Sequence, residues 1–289
     1  MELDEECKGC LYNSQLKKVE REQGAGEKLG LFKARVKALC ENPPAHYCAP
    51  LLMRDIDGIH REIYGCGIDY SREKSLFNRL LLNLESDIFA RVIASADPVE
   101  EALKFSMAAN YIDFARLGDL NEQSVDYVLT VAERAEVDKS VLKSFKSKLK
   151  TAKSLCFLHD NCGEIVMDKI LLRVIRREYP DIAPVSVVRG SPIINDVTLT
   201  DAEEVGLGKV ARVVENGAGV PGTYLKEISE QTKKLLSESD VIVSKGLGNL
   251  ETLYGEGYNI FYAFNCKCRH IAERFGLKLW AAAFIEEKV

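Results

Sequence analysis

The sequence predicts an α/β protein in two parts: an all-helical domain over residues 1–150, then a Rossmann-like α/β/α domain with a mostly parallel sheet over residues 151–289. Three observations predict it. Apolar residues of the first half recur at helical spacing. Beyond residue 150, short apolar runs alternate with amphipathic stretches, the signature of βα repeats. With 289 residues, 46% of them hydrophobic and 29% charged, the chain can close two cores at ~100–200 residues per domain.

The elements follow in order. Leu76, Leu80, Leu84, Ile88 and Val92 recur every fourth residue and draw one apolar helical stripe. Asp97-Pro98 supplies a cap and a first-turn proline for a helix that runs toward Gly118, and further helices are expected over 121–135 and 138–149. Strands are expected at 154–160, 183–190, 209–217, 240–246, 259–265 and 278–285, with helices at 162–178, 199–206, 223–238, 249–255 and 267–275 between them. Crossovers in such sheets are right-handed, so ligand-binding residues gather in loops at the carboxyl ends of the strands.

Composition excludes several partners. The net charge of −5 is spread evenly: residues 1–150 hold 22 Lys and Arg against 25 Asp and Glu, and residues 151–289 hold 17 against 19. No basic face offers to neutralise a phosphate backbone, so nucleic acid is not expected. The longest apolar run, Leu279 to Ile285, is far short of the ~18–20 residues that span a bilayer. The acidic start MELDEECKGC is no secretory signal, and nine irregularly placed cysteines fit a reducing cytoplasm better than a disulfide framework. Two close pairs stand apart, Cys7-x-x-Cys10 and Cys266-x-Cys268. They could converge on a second metal as one tetrahedral thiolate site, although C-x-C is tighter than usual zinc spacing; free thiols are the alternative.

Chemistry concentrates at four strand ends. Asp160 and Asn161 follow the first strand and offer the oxygen ligands that Mg²⁺ or Mn²⁺ prefers, though either also serves as a plain helix cap. The second strand ends in Arg189-Gly190, with Asn195 and Asp196 just beyond, and Asp196 can approach Asp160 if the two strands are neighbours; it too could be only a cap. After the fourth strand, Lys245, Gly246 and Asn249 form a loop where an ammonium and bare amides could hold a phosphate. Gly217, Gly219 and Gly222 spell the dinucleotide fingerprint, but the next strand ends in Lys245 rather than the acid that would hold a ribose. In the helical half, Asn110 and Asp113 lie one turn apart on one face, placed to reach an interdomain cleft or simply to face solvent.

The combination Asp160-Asn161-x-Gly163-Glu164, Arg189-Gly190-x-Pro192-Ile193-x-Asn195-Asp196-x-Thr198, Lys245-Gly246-x-Gly248-Asn249-x-Glu251 and Asn110-x-Ile112-Asp113 resembles the metal-dependent damage-control phosphatases. The opening Cys-x-x-Cys and Lys267-Cys268 resemble their stand-alone prokaryotic branch. The resemblance implies a divalent metal (Mg, Mn, Co or Ni) between the two domains, held by Asp160, Asn161 and Asp196. It implies that Asn110 and Asp113 reach the site from the helical domain and that Lys245 stands near the substrate phosphate. Glu164, Arg189 and Asn195 lie in matching motifs to which the resemblance assigns no role; Arg189, Gly246 and Asn249 are taken as substrate-binding candidates from their places at the strand ends. The implied reaction is hydrolysis of a small phosphorylated metabolite, with a metal-activated water or, less simply, the Asp160 carboxylate as nucleophile. Oligomeric state is not encoded. A nicotinamide oxidoreductase on the glycine loop, a carboxyl methyltransferase and a non-enzymatic cysteine-based metal module are the competing readings.

Overall fold

The computed structural model describes residues 1–110 and 129–289. Asp113 and most of the helix expected over 121–135 lie outside these residues. Five helices open the chain: α1 (Glu5–Gln23), α2 (Glu27–Glu41), α3 (Ala49–Tyr64), α4 (Ser71–Ala94) and α5 (Pro98–Ala109). Asp97 caps α5 as expected, accepting the Glu100 N–H at 3.2 Å, with Pro98 in the first turn. After α6 (Lys139–Leu149) the βα pattern runs β1 (Ser154–Leu158), α7 (Glu164–Glu178), β2 (Ala183–Val188), α8 (Leu199–Glu204), β3 (Arg212–Glu215), α9 (Glu230–Glu238), β4 (Val241–Lys245), α10 (Gly246–Leu253), β5 (Ile260–Asn265), α11 (Arg269–Phe275) and β6 (Ala282–Glu287).

The sheet order is β3-β2-β1-β4-β5-β6, parallel except for β6, which pairs antiparallel with β5. The chain leaves β1 toward β2 and returns on the other side at β4, so the order reverses between β1 and β4. A crevice opens at the carboxyl ends of such a pair. Alternation along the strands sorts the core: Leu155 and Phe157 face one apolar layer, Cys156 and Leu158 the other. The first layer crosses residue 150, joining Phe77 of α4 and Phe105 of α5 to Phe145, α7 and the sheet. Phe145 meets Phe261 and Phe284 edge-on at 5.0 and 5.4 Å, fixing α6 to β5 and β6. α1 to α3 hold a third cluster around Phe32, Leu52 and Ile56.

Three local expectations are corrected. The buried stripe of α4 is Phe77, Leu81, Ile88 and Val92, rotated by one residue over its first turns, with Leu76, Leu80 and Leu84 only partly covered. Apolar residues at both 76–77 and 80–82 leave the spacing ambiguous, and packing on α7 decides it. The last strand starts at Ala282 rather than 278, because Trp280 takes a φ of 67° in a turn that no extended strand can hold. The helix expected from 223 begins at Glu230 under a Ser229 cap. Gly217, Gly219 and Gly222 therefore open no helix. They fold back on neighbouring loops: a Cβ on Gly222 would sit 2.6 Å from the Gly248 carbonyl.

Candidate active site

β1 runs into His159, Asp160 and Asn161 before Gly163 turns the chain into α7. The segment after β2 folds back on this turn. Val197 donates to the Asp160 carbonyl at 2.9 Å, Cys162 to the Asn195 carbonyl at 2.9 Å, and Asn161 and Asp196 form an antiparallel bridge. This pairing brings the Asp196 carboxylate to the Asp160 carboxylate. From α4, the Asn78 side-chain oxygen Oδ1 accepts the Gly163 N–H at 2.7 Å, so a helix of the first half steadies the turn.

Arg189 bridges the two acids from beneath. Its Nε donates to Asp196 at 2.6 Å and a terminal nitrogen stands 3.5 Å from Asp160, with only 1% of the residue exposed. Burial pushes the Asp160 carboxyl well above the usual range, and Asp196 and Glu164 push it further, against Arg189 and Lys267. Burial also raises Asp196, although Arg189 opposes it. Two desolvated acids and a third nearby make a site whose excess negative charge a divalent cation would offset. Among the described residues, no three His, Cys, Asp or Glu side chains converge as a ready cage. The donor set is two carboxylates plus the Asn161 amide, oxygen donors that suit a hard cation completed by water and phosphate.

Glu164 orients that amide. One of its oxygens accepts from Asn110 at 2.7 Å and from Asn161 at 3.1 Å, and the same two amides donate to Asp160 at 3.1 and 2.5 Å. With its N–H₂ group spent on Glu164 and Asp160, Asn161 has a carbonyl oxygen that meets no donor among the described residues and could serve a cation. Asn110 is itself fixed, its carbonyl accepting the Asn265 N–H at 3.1 Å.

Lys245 lies behind this layer. It is fully buried, and its ammonium contacts Glu164 at 2.7 Å, Asp168 at 2.8 Å and both oxygens of Ser106 at 2.7 and 2.8 Å. Burial pulls its pKa down, but Asp168 and Glu164 outweigh that and hold it above the ordinary lysine value. Asp168 also binds His159, which reaches Ser186 at 2.9 Å. Asn249 is equally buried, donating to the carbonyls of His159 and Lys245 and accepting from Thr223 and Arg189. Gly246, at φ 77°, lets α10 start against Asp160: a Cβ there would fall 1.9 Å from the carboxylate oxygen.

The cleft in front of Asp160 has a volume of about 190 Å³. Asn110, Asp160, Asn161, Asn195, Asp196, Glu251 and Lys267 supply its polar wall, and Leu11, Pro50, Met53, Ile194 and Leu247 its apolar one. Of the sequence candidates, Asp160, Asn161, Asp196 and Asn110 meet here. Lys245, Arg189 and Asn249 support the floor instead of lining it.

A family model for the damage-control phosphatase ARMT1-like domain matches residues 11–281, which takes in every part of this cleft. The chain belongs to the ARMT1-like damage-control phosphatases. It is 30% identical to a damage-control phosphatase of Archaeoglobus fulgidus over 84% of each chain, and 29% identical to one of Pyrococcus horikoshii over 65% of each. The crystal structure of a DUF89 family protein from Pyrococcus horikoshii superimposes with a TM-score of 0.84 over the full length of both chains at 25% identity. Within this damage-control phosphatase, sequence reasoning gave no role to Glu164, Asp168, His159 or Ser106. Their signal was present: α7 reads EIVMDKILL, and acids on a helix buried all round must be paired. Lys267 carried only a motif label, yet it is the lysine that lines the cleft.

Proposed function

We propose that this damage-control phosphatase is metal-dependent and hydrolyses small phosphate esters, either sugar phosphates or damaged phosphometabolites. Asp160, Asn161 and Asp196 would hold one divalent cation (Mg, Mn, Co or Ni). The observation that carries the reading is the meeting of these three oxygen donors with Lys267 at the β1/β4 crevice. A bound cation supplies Lewis acidity toward a phosphoryl oxygen and charge for the developing transition state.

The chain's own residues do the rest. Lys267 faces the same cleft and offsets phosphate charge in the ground state, a role the sequence had assigned to Lys245. Lys245 acts one layer back, fixing Glu164, which fixes the Asn110 and Asn161 amides. Arg189 holds Asp160 and Asp196 together against their mutual repulsion. The apolar wall from α1 and α3 excludes water on the side away from the carboxylates and strengthens each charge interaction inside. A dinucleotide reading finds no support, since the glycine fingerprint opens no helix N-terminus.

Phosphate release from a panel of sugar phosphates and nucleotides, with each of the four metals and with chelator, tests the proposal. Turnover that needs one of the metals and stops with chelator supports it; turnover untouched by chelator removes it.

A further inference from the structure

Two cysteines, Cys7 and Cys268, one from each pair, come together beside residues that line the cleft, and the phosphatase reading leaves them without work. Cys7 lies in the first turn of α1 and Cys268 directly before α11, 261 positions apart, yet the two side chains lie close enough to interact. The contact is seated by its neighbours. Arg269 stands 3.6 Å from Glu6, and His270 lies 3.9 Å from Asp4, so the start of α1 is docked on the start of α11. The backbone N–H groups of His270 and Ile271 donate to the Cys268 sulfur, and Cys266 donates to the Cys268 carbonyl at 3.6 Å. Both members of the pair are partly exposed, and all nine cysteines are present as free thiols.

We propose that Cys7 and Cys268 form a reversible dithiol–disulfide site that takes peroxide-class oxidants and is reset by small dithiols. Its geometry supplies what such a site needs: a sulfur held as hydrogen-bond acceptor, a second thiol beside it, and access from solvent. The neighbouring Cys7 thiol, with the backbone donors, also draws the Cys268 pKa down to about 6, while the Cys7 thiol is raised. The roles therefore differ: Cys268 is the attacking thiolate and Cys7 the resolving thiol.

The chemistry balances. The Cys268 thiolate attacks one peroxide oxygen, the O–O bond breaks, and the departing hydroxide takes a proton from solvent to become water. Cys268 is now a sulfenic acid. The Cys7 sulfur attacks it, the S–S bond forms, and the sulfenic hydroxyl leaves with the Cys7 proton as a second water. Two sulfurs lose two electrons in total, and the peroxide gains them. A small dithiol reverses the step by exchange.

The position ties this chemistry to the cleft without depending on what the cleft hydrolyses. Leu11, one turn beyond Cys7, and Lys267, next to Cys268, both line it, and Glu251 in the same wall lies close enough to Cys268 to feel its charge. The disulfide would tie the first helix to the last βα unit beside this cleft.

The test uses the full chain, purified reduced and treated with hydrogen peroxide, followed by non-reducing peptide mapping. A peptide joining Cys7 to Cys268 is expected, disappearing after dithiothreitol. Cys7→Ser should stop the reaction at a Cys268 sulfenic acid that dimedone traps. Cys268→Ser should leave Cys7 unmodified at the same peroxide dose. The oxidised wild type should melt at higher temperature than the reduced protein, and Cys7→Ser should lose that difference, because the bond closes nearly the whole chain into a loop. Oxidation of Cys268 no faster than exposed Cys66, crosslinks that do not join Cys7 to Cys268, or one zinc per chain in protein purified without added metal would each overturn the proposal.

Discussion

Asp196 is held by one short contact, the 2.6 Å donation from Arg189, and lines the cleft beside Asp160. Asn at this position keeps shape and loses the charge. Asp196→Asn should fold normally, bind Mn²⁺ more weakly in calorimetry, and lose about 10²-fold or more in kcat, the scale of removing one main electrostatic stabiliser. Unchanged metal affinity would sink the ligand assignment. The two lysines separate by a similar argument. Lys267 reaches the cleft from a half-buried position, whereas Lys245 spends its ammonium on Glu164, Asp168 and Ser106. Lys267→Ala should therefore raise KM for a phosphate ester by about tenfold, the loss of one charge-assisted contact, while leaving the melting temperature near that of the wild type. Equal KM values in steady-state assays would remove Lys267 from phosphate binding.

At the scale of elements, α5, α7 and β4 are joined by charge as well as by apolar packing. Ser106 of α5, Glu164 and Asp168 of α7 and Lys245 of β4 are all buried and mutually bonded. Removing the cation leaves two acids uncompensated in the interior. Lys245→Met should cost about 3–5 kcal/mol, a drop on the order of 10 °C in calorimetry. It should also lower kcat more than it raises KM, because Glu164 would no longer hold the Asn161 amide; a variant as stable as the wild type would show that the network carries no structural weight. These joints explain how much of the molecule was legible beforehand. Strand runs such as Val241 to Val243 were readable because the stretch of a strand buried on both faces is predominantly apolar. The meeting of Asp160, Asn161 and Asp196 was readable because strand ends mark the crevice, and these residues stand in sequence motifs. The direction of Lys245 was not readable, since position at a strand end leaves open whether a side chain points into the cleft or back between helices. The buried acids on α7, four residues apart, and Ser106 of α5 pull it inward. Trp280 was equally opaque: nothing in KLWAAAFI marks a left-handed residue, and the turn is set by Trp280 donating to the Cys266 carbonyl at 2.7 Å.

For the whole molecule, the buried acids make stability depend on pH, and the proposed cation would add a dependence on metal. In the metal-free fold Asp160 and Asp196 have raised pKa values, chiefly through burial. A carboxyl raised on folding favours the folded state while protonated, so its contribution is complete below the unfolded value near 3.9 and is lost as pH climbs through the folded one. Acids such as Asp97 and Glu100, lowered by lysines, behave oppositely and lose their contribution as pH falls. A bare melting curve against pH mixes the two groups, and a difference between variants separates them. Asp160→Asn mimics the protonated acid at every pH. Without metal it should melt above the wild type at pH 8, and the gap should close as pH falls toward 5. Mn²⁺ should reverse the order, because a cation would bind the ionised carboxylates and need not displace protons at high pH. The wild type should therefore gain more from saturating Mn²⁺ at pH 8 than at pH 5, and Asp160→Asn should gain little at either. Scanning calorimetry of both proteins at the two pH values, with Mn²⁺ and with chelator, decides it. A metal gain that is flat with pH, or retained in Asp160→Asn, would place the cation somewhere other than between Asp160 and Asp196.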